Sequence, residues 1–125
     1  PVHTCLLHHP RLDEAVRAVR KAARLCKYRP YDEDRKTGLL RHVLVRHSLL
    51  TDEVLIVLVT ASPFLPGAKT FVKRVREFCP KVGTIVQNIN NRSTSAVLGF
   101  SEKILYGKGY IVDELWRNPV SDCGF

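Results

Sequence analysis

The chain has 125 residues, 45% of them hydrophobic and 26% charged, with a formal net charge of +8. That composition excludes a disordered chain and fits one domain with a single modest core. The positive surplus favours anionic partners, nucleic acid first and an acidic membrane surface second; the bland alternative is charge kept only for solubility.

The N-terminus, PVHTCLLHHP, has neither the basic start nor the apolar middle of a signal peptide. The expectation is therefore a cytoplasmic protein with reduced thiols and no membrane partner. The chain contains no methionine. Either an initiator was removed before Pro1 or the chain is a piece of something longer.

Residues 10–27 predict a helix, because Leu12, Ala15, Val16, Val19, Ala22, Ala23 and Cys26 recur at three- and four-residue steps. Asp13 and Glu14 fall in its first turn, where the helix dipole favours anions. Pro30 stops it, and YDEDRKTG at 31–38 predicts a loop. Residues 39–50 predict a strand with Leu40, His42, Leu44 and Arg46 on one face and Arg41, Val43, Val45 and His47 on the other. A short polar turn then leads into 54–60, apolar at nearly every position, which predicts a hairpin whose second strand is central and covered on both faces. Its apolar run, Val54 to Val59, is far shorter than a bilayer span requires.

Beyond the Pro-rich linker at 62–67, residues 68–78 predict a second helix with Phe71, Val72, Val75 and Phe78 as its apolar stripe. Lys69, Lys73, Arg74 and Arg76 face outward from it. Residues 82–89 predict a third strand, 95–100 a short further one, and 103–106 with 110–114 a pair flanking Gly107-Lys108-Gly109. The tail, 116–125, shows no periodicity and is expected to be irregular. The order α-β-β-α-β-(β)-β-β predicts an α+β fold: a largely antiparallel sheet with two helices packed on one face.

Enzymatic motifs are not evident. His3, Cys5, His8 and His9 lack a second paired-ligand element, so a self-contained zinc site is not supported. No thiol has a base or an oxyanion hole placed beside it by any motif, and no glycine-rich loop follows a strand to cradle phosphates. Read by its residues alone, the chain is not an enzyme and carries no cofactor.

Nucleic-acid binding has better support. Arg41 and Arg46 flank His42 on one strand, and phosphate contacts need such cations and donors. At ideal alternation the two arginines point to opposite faces, so one must pair or reach an edge unless a bulge intervenes. The strand at 82–89 ends in Gln87 and Asn88, followed by Asn90 and Arg92, a run of groups suited to base edges and ribose hydroxyls. Turn chemistry is the competing explanation for Asn90 and Asn91, since asparagine bends and caps chains readily.

Four segments in order, GLLRHVLVR, DEVLIVLVT, TIVQNINNRSTSAVLG and LYGKGYIVDEL, resemble the TrmA/RumA family of bacterial RNA (uracil-5-)-methyltransferases, in particular the 23S rRNA enzymes of the RlmCD type. The resemblance implies that residues 1–115 are the central, RNA-contacting domain of a three-part enzyme. Its N-terminal TRAM-like domain and its C-terminal methyltransferase domain would lie outside this chain. The missing C-terminal part would bind S-adenosylmethionine and carry the cysteine nucleophile that adds to uracil C6. Many members also hold a 4Fe-4S cluster, and Cys5 occupies the place of its fourth ligand; without the other three thiolates, Cys5 is expected to be a free thiol here. The implied partner is ribosomal RNA, bound through Arg41, His42, Arg46, Gln87, Asn88, Asn90 and Arg92. The alternative function is a free-standing basic RNA-binding module without enzymatic activity.

Overall fold

A computed structural model describes residues 10–32, 34–91, 99, 101–111 and, for the backbone, 120–124. Helix α1 spans Pro10–Leu25. Proline at the first helical position gives up no intrahelical bond, Asp13 lies in the first turn, and Arg24 lies in the last. The helix ends earlier than its periodicity suggests, because Lys27 turns left-handed (φ 60°). The Lys27 amide donates to Arg24 O at 3.1 Å and the Tyr28 amide to Ala23 O at 2.9 Å. This Schellman closure satisfies the final carbonyls and directs Tyr28 into the core.

The polar loop that follows is ordered by its own side chains: Asp32 Oδ1 accepts from the amides of Asp34 (3.0 Å) and Arg35 (3.2 Å). Gly38 closes it at φ 105°, where an added Cβ would lie 2.2 Å from Pro30 O, so no other residue fits. Strand β1 (Leu40–His47) and β2 (Val54–Thr60) form the expected antiparallel hairpin, with a register shift between Leu40 and His42. Helix α2 (Ala68–Phe78) then returns the chain to β3 (Val82–Ile89), which runs parallel to β2. Strand β4 (Ser101–Tyr106) pairs antiparallel with β3.

The sheet order is β4-β3-β2-β1-β5, which makes β2 central, as its uninterrupted apolar run predicts. The class is α+β as expected, and three of the four pairings are antiparallel. The parallel one arises because a helix, and not a turn, connects β2 to β3. Leu12, Val19, Phe71 and Val75 of the two helices meet Val43, Val45, Ile56, Leu58 and Ile85 of the sheet in one core, so both helices cover the same face.

Three expectations are revised or left untouched. The tail is not wholly irregular: Val120–Gly124 form β5, antiparallel to β1. Without β5, the outer side of β1 would be a bare edge of amides and carbonyls, and backbone pairing needs no side-chain pattern to fill it. Tyr110 and Ile111 are not in a strand, so the glycine turn is not followed directly by one. Instead it folds onto β3, where Thr84 Oγ1 donates to Tyr106 O (2.7 Å) and accepts from the Gly109 amide (2.8 Å). The short strand expected at 95–100 falls, except for Gly99, outside the described residues, as do 112–114.

Asp52 ties the hairpin turn to α1. Its carboxylate takes Arg11 Nε at 3.2 Å on both oxygens and accepts from His47 Nε2 at 2.7 Å. These bonds, from His47 first and then Arg11, hold its pKa down to about 2 from an ordinary 3.8. A lowered carboxyl pKa stabilises the fold where the group is ionised. That contribution is complete above about pH 4 and is lost as pH falls through about 2. Asp52→Asn is therefore expected to flatten the acid limb of the stability profile between those values, read as urea midpoint against pH. An acid limb identical to that of the parent chain would show that Asp52 does not carry it.

Candidate nucleic-acid interface

The amides at the end of β3 are bound up in the fold. Gln87 is fully buried, and its Nε2 donates to Thr60 Oγ1 at 2.9 Å and to the carbonyls of Ser62 and Pro63 at 3.3 Å each. Thr60 Oγ1 itself donates to Ser62 O at 2.7 Å, so the chain leaving β2 is fastened to β3 by side chains. Asn88 acts as a substitute backbone: its Oδ1 accepts from the Gly99 amide at 2.6 Å and its Nδ2 donates to Gly99 O at 3.2 Å. The same Nδ2 reaches Glu102 Oε2 at 3.3 Å.

The Asn90 amide donates to Thr60 O at 2.8 Å, extending the parallel ladder one residue past β3. Its carbonyl accepts from Arg41 Nη1 at 2.9 Å. Arg41 is 6% exposed, and its guanidinium lies 4.6 Å from the centroid of the Tyr31 ring. Alternation puts Arg41 on the same face as the buried Val43, Val45 and His47, and the register shift beside it breaks the alternation so that Leu40 is buried as well. His42 and Arg46 are half-buried on the opposite face of β1. Arg92 and Cys5 lie outside the described residues.

The exposed cations are elsewhere. Lys69, Lys73 and Arg76 follow one another at helical spacing along α2, and Arg76 sits 4.3 Å over the Tyr106 ring of β4. Lys103 on β4 lies opposite Gln87 in the register, on the helix side of the sheet. Many other surface cations are matched: Arg17 with Asp13 at 2.7 Å, Arg74 with Glu77 at 3.1 Å. Among the described residues, Lys69, Lys73, Lys103 and Lys108 are exposed and take part in none of the ion pairs; the same holds for Arg24, Lys27, Arg29 and Lys36 at the end of α1 and in the loop after it. The flank formed by α2 and β4 is thus a cationic strip bearing two aromatic rings, Phe64 at its head and Tyr106 at its middle. The four-then-three spacing of Lys69, Lys73 and Arg76 was the signal in the sequence, although a solvated helix face shows the same spacing.

No described residue has the environment of a nucleophile. Burial, with Glu14 close by, pushes the Cys79 thiol up to about 12, so at neutral pH it is a protonated core side chain. Among the described residues no cluster of three or more His, Cys, Asp or Glu could hold a metal ion, and no helix is long and apolar enough to cross a membrane.

No family model matches the chain. It is 38% identical over 111 residues to a protein of Halalkalibacterium halodurans named uncharacterized RNA methyltransferase BH0687, covering 89% of this chain and 24% of that protein. A Streptococcus pyogenes serotype M3 protein, uncharacterized RNA methyltransferase SpyM3_1024, is 34% identical over 94% of this chain and 26% of its own length. An uncharacterized RNA methyltransferase of Bacillus cereus is 31% identical over 90% of this chain and 24% of its own length. The chain thus spans about a quarter of the length of the curated relatives it matches. Its fold is that of one quarter of the Pyrococcus abyssi tRNA (uracil-54, C5)-methyltransferase, whose crystal structure holds S-adenosyl-L-homocysteine: TM-score 0.61, 19% identity, 86% of this chain and 25% of that one.

Proposed function

We infer that this chain, a homologue of a quarter-length segment of RNA methyltransferases, is the part of such an enzyme that grips RNA, and that the α2–β4 flank is its gripping surface. The observation that carries this is the placement of the cations. Of the residues proposed from the sequence as RNA ligands, Arg41, Gln87 and Asn88 are committed to internal side-chain hydrogen bonds, and Asn90 is buried with its backbone bonded to Thr60 and Arg41. On this flank the unmatched positive charge of Lys69, Lys73 and Lys103, continued by Arg76 over Tyr106, runs alongside the exposed Phe64 ring, a pairing of cations with aromatics that suits RNA, and exposed lysines in a strip make phosphate contacts at little desolvation cost. His42, Arg46 and Arg92 remain proposed as secondary contacts.

The chemistry is proposed for the remainder of the enzyme. The relatives' names indicate RNA methylation, and the uracil-5 family adds methyl groups from S-adenosylmethionine to uridine, here proposed to lie in 23S ribosomal RNA. Such a remainder would supply the cofactor pocket, the cysteine that adds to C6 and the general base; no step of that reaction is assigned to a residue of this chain. A 4Fe-4S cluster involving Cys5 is likewise a proposal for the intact enzyme only.

Binding of an RNA hairpin, titrated at several salt concentrations, tests the reading. Phosphate contacts predict log K falling linearly with log salt, with a slope of about −0.7 to −0.9 per contact. Lys69→Glu with Lys73→Glu is expected to reduce that slope by about two contacts and leave the urea midpoint unchanged, since both side chains are exposed. A slope unaffected by the double substitution would move the interface off this flank. Binding insensitive to salt would remove it altogether.

A further inference from the structure

At the head of the cationic strip is a cavity of about 270 Å³ between the 62–67 loop, the start of α2 and β4. Its walls include Phe64, Leu65, Lys69, Gln87, Lys103 and Leu105. The volume is just under the roughly 300–1,000 Å³ of sites that enclose a drug-sized ligand, which suits one flat group with its sugar.

Three features of the cavity are chemically incomplete in a complementary way. First, α2 begins at Gly67 with no side-chain cap and no acidic residue in its first turn, so the end of the helix that borders the cavity at Ala68 and Lys69 has no side-chain acceptor for its leading amides. Lys69 and Lys103 add two exposed ammonium groups beside it. Second, Gln87 Oε1 is buried and accepts no hydrogen bond from any described residue, although the Nε2 of the same amide makes three. A buried amide oxygen left without a donor is costly, and the Nε2 contacts, two of them to carbonyls, fix the amide so that it cannot flip to relieve this. Third, the Phe64 ring, 70% exposed, stands at the mouth where a core aromatic would be hidden.

A ligand that completes all three must carry an anion, an N–H or O–H donor and a π-face. We propose that this cavity holds one nucleotide of a single-stranded RNA segment, with its base against Phe64, a base N–H or ribose hydroxyl donating to Gln87 Oε1, and its phosphate held by Lys69, Lys103 and the first amides of α2. This rests on the RNA-gripping reading above and refines it, because the strip alone would hold duplex and single strand alike. Unpaired nucleotides are the form of RNA whose bases can stack on a protein ring. The loop is well prepared for the role: it is pinned by Gln87, by Thr60, and by Tyr28, whose hydroxyl donates to Pro66 O.

The test uses the 125-residue chain with two probes, a ten-nucleotide oligouridine and an RNA duplex of equal phosphate count, read by fluorescence anisotropy. Phe64→Ala is expected to weaken oligouridine binding about 5- to 150-fold, the range for loss of one stacked base, while duplex affinity and salt slope stay as in the parent chain. Phe64→Tyr is expected to restore the oligouridine affinity. Oligouridine is also expected to shift the side-chain amide resonances of Gln87, which a purely structural glutamine would not show.

Phe64→Ala binding oligouridine like the parent chain would overturn the proposal, as would equal weakening toward both probes. In either case the salt slope on duplex would persist, so the gripping surface would survive without its cavity. Absence of binding to both probes would overturn the two readings together. Uridine monophosphate that shifts Gln87 as the oligomer does, with no effect of Phe64→Ala on the oligomer, would indicate a free-nucleotide site and also overturn it.

Discussion

Arg41→Glu is expected to destabilise the fold by about 3–5 kcal/mol, the scale seen when one partner of a buried charged contact is removed. The guanidinium is nearly inaccessible, stacks on Tyr31 and donates to Asn90 O. A carboxylate in its place would face that carbonyl with no donor to offer and would have to be buried or protonated. Small domains have about 5–15 kcal/mol in total, so the loss consumes much of the margin. Arg46→Glu, half-buried on the other face, is expected to cost about 1 kcal/mol.

Urea denaturation of both variants distinguishes these effects. The Arg41 variant should shift its midpoint far more than the Arg46 variant at an unchanged m-value. Equal midpoints would mean that the Asn90 contact contributes nothing to the fold. The comparison also determines how a binding defect is read. Loss of RNA affinity in Arg41→Glu should scale with the unfolded fraction, whereas loss in Lys69→Glu with Lys73→Glu should not.

Those two arginines show where the sequence becomes uninformative. Alternation along 39–50 correctly separates Arg41 from Arg46 by face, and it identifies the hairpin with β2, because period-two burial is written directly in the apolar positions. It does not say which of the two faces meets the helices, because each carries one arginine, one histidine and two apolar residues. The same limit applies to strand direction. Val54 to Val59 reads as a buried central strand, but its parallel pairing with β3 follows from the path of α2, not from either strand's side chains. Strand β5 is the extreme case, since edge pairing through backbone groups leaves nothing in VSDCG to detect.

The polar run after Val86 was ambiguous for a different reason. An amide that reads a base edge and an amide that fastens a loop are the same residue type. Asn88 serves the fold through its side chain at Gly99, and Asn90 through its backbone at Thr60 and Arg41. Gln87 is divided between the two possibilities, with three donations inward and one acceptor left over. That division depends on where Ser62 and Pro63 place their carbonyls, which no residue type encodes.

Phe71→Ala is expected to cost about 3–5 kcal/mol by the same unfolding measurement, and its consequences should reach the cavity. Phe71 is fully buried in the core shared by both helices and the sheet, with its ring centroid 5.3 Å from that of Tyr28. The Tyr28 hydroxyl in turn donates to Pro66 O, the carbonyl just before the start of α2. Truncating Phe71 removes the wall against which Tyr28 is held, so the pinned loop should loosen before the sheet does. Amide hydrogen exchange is therefore expected to accelerate at Phe64, Leu65 and Gly67 more than at β2 or β3 under native conditions.

Phe71→Leu, which keeps most of the volume, should lose less stability and preserve that loop's protection. If exchange in Phe71→Ala rises uniformly across the sheet and the loop, then Tyr28 does not couple the core to the cavity. The loop's geometry would in that case depend on Gln87 and Thr60 alone.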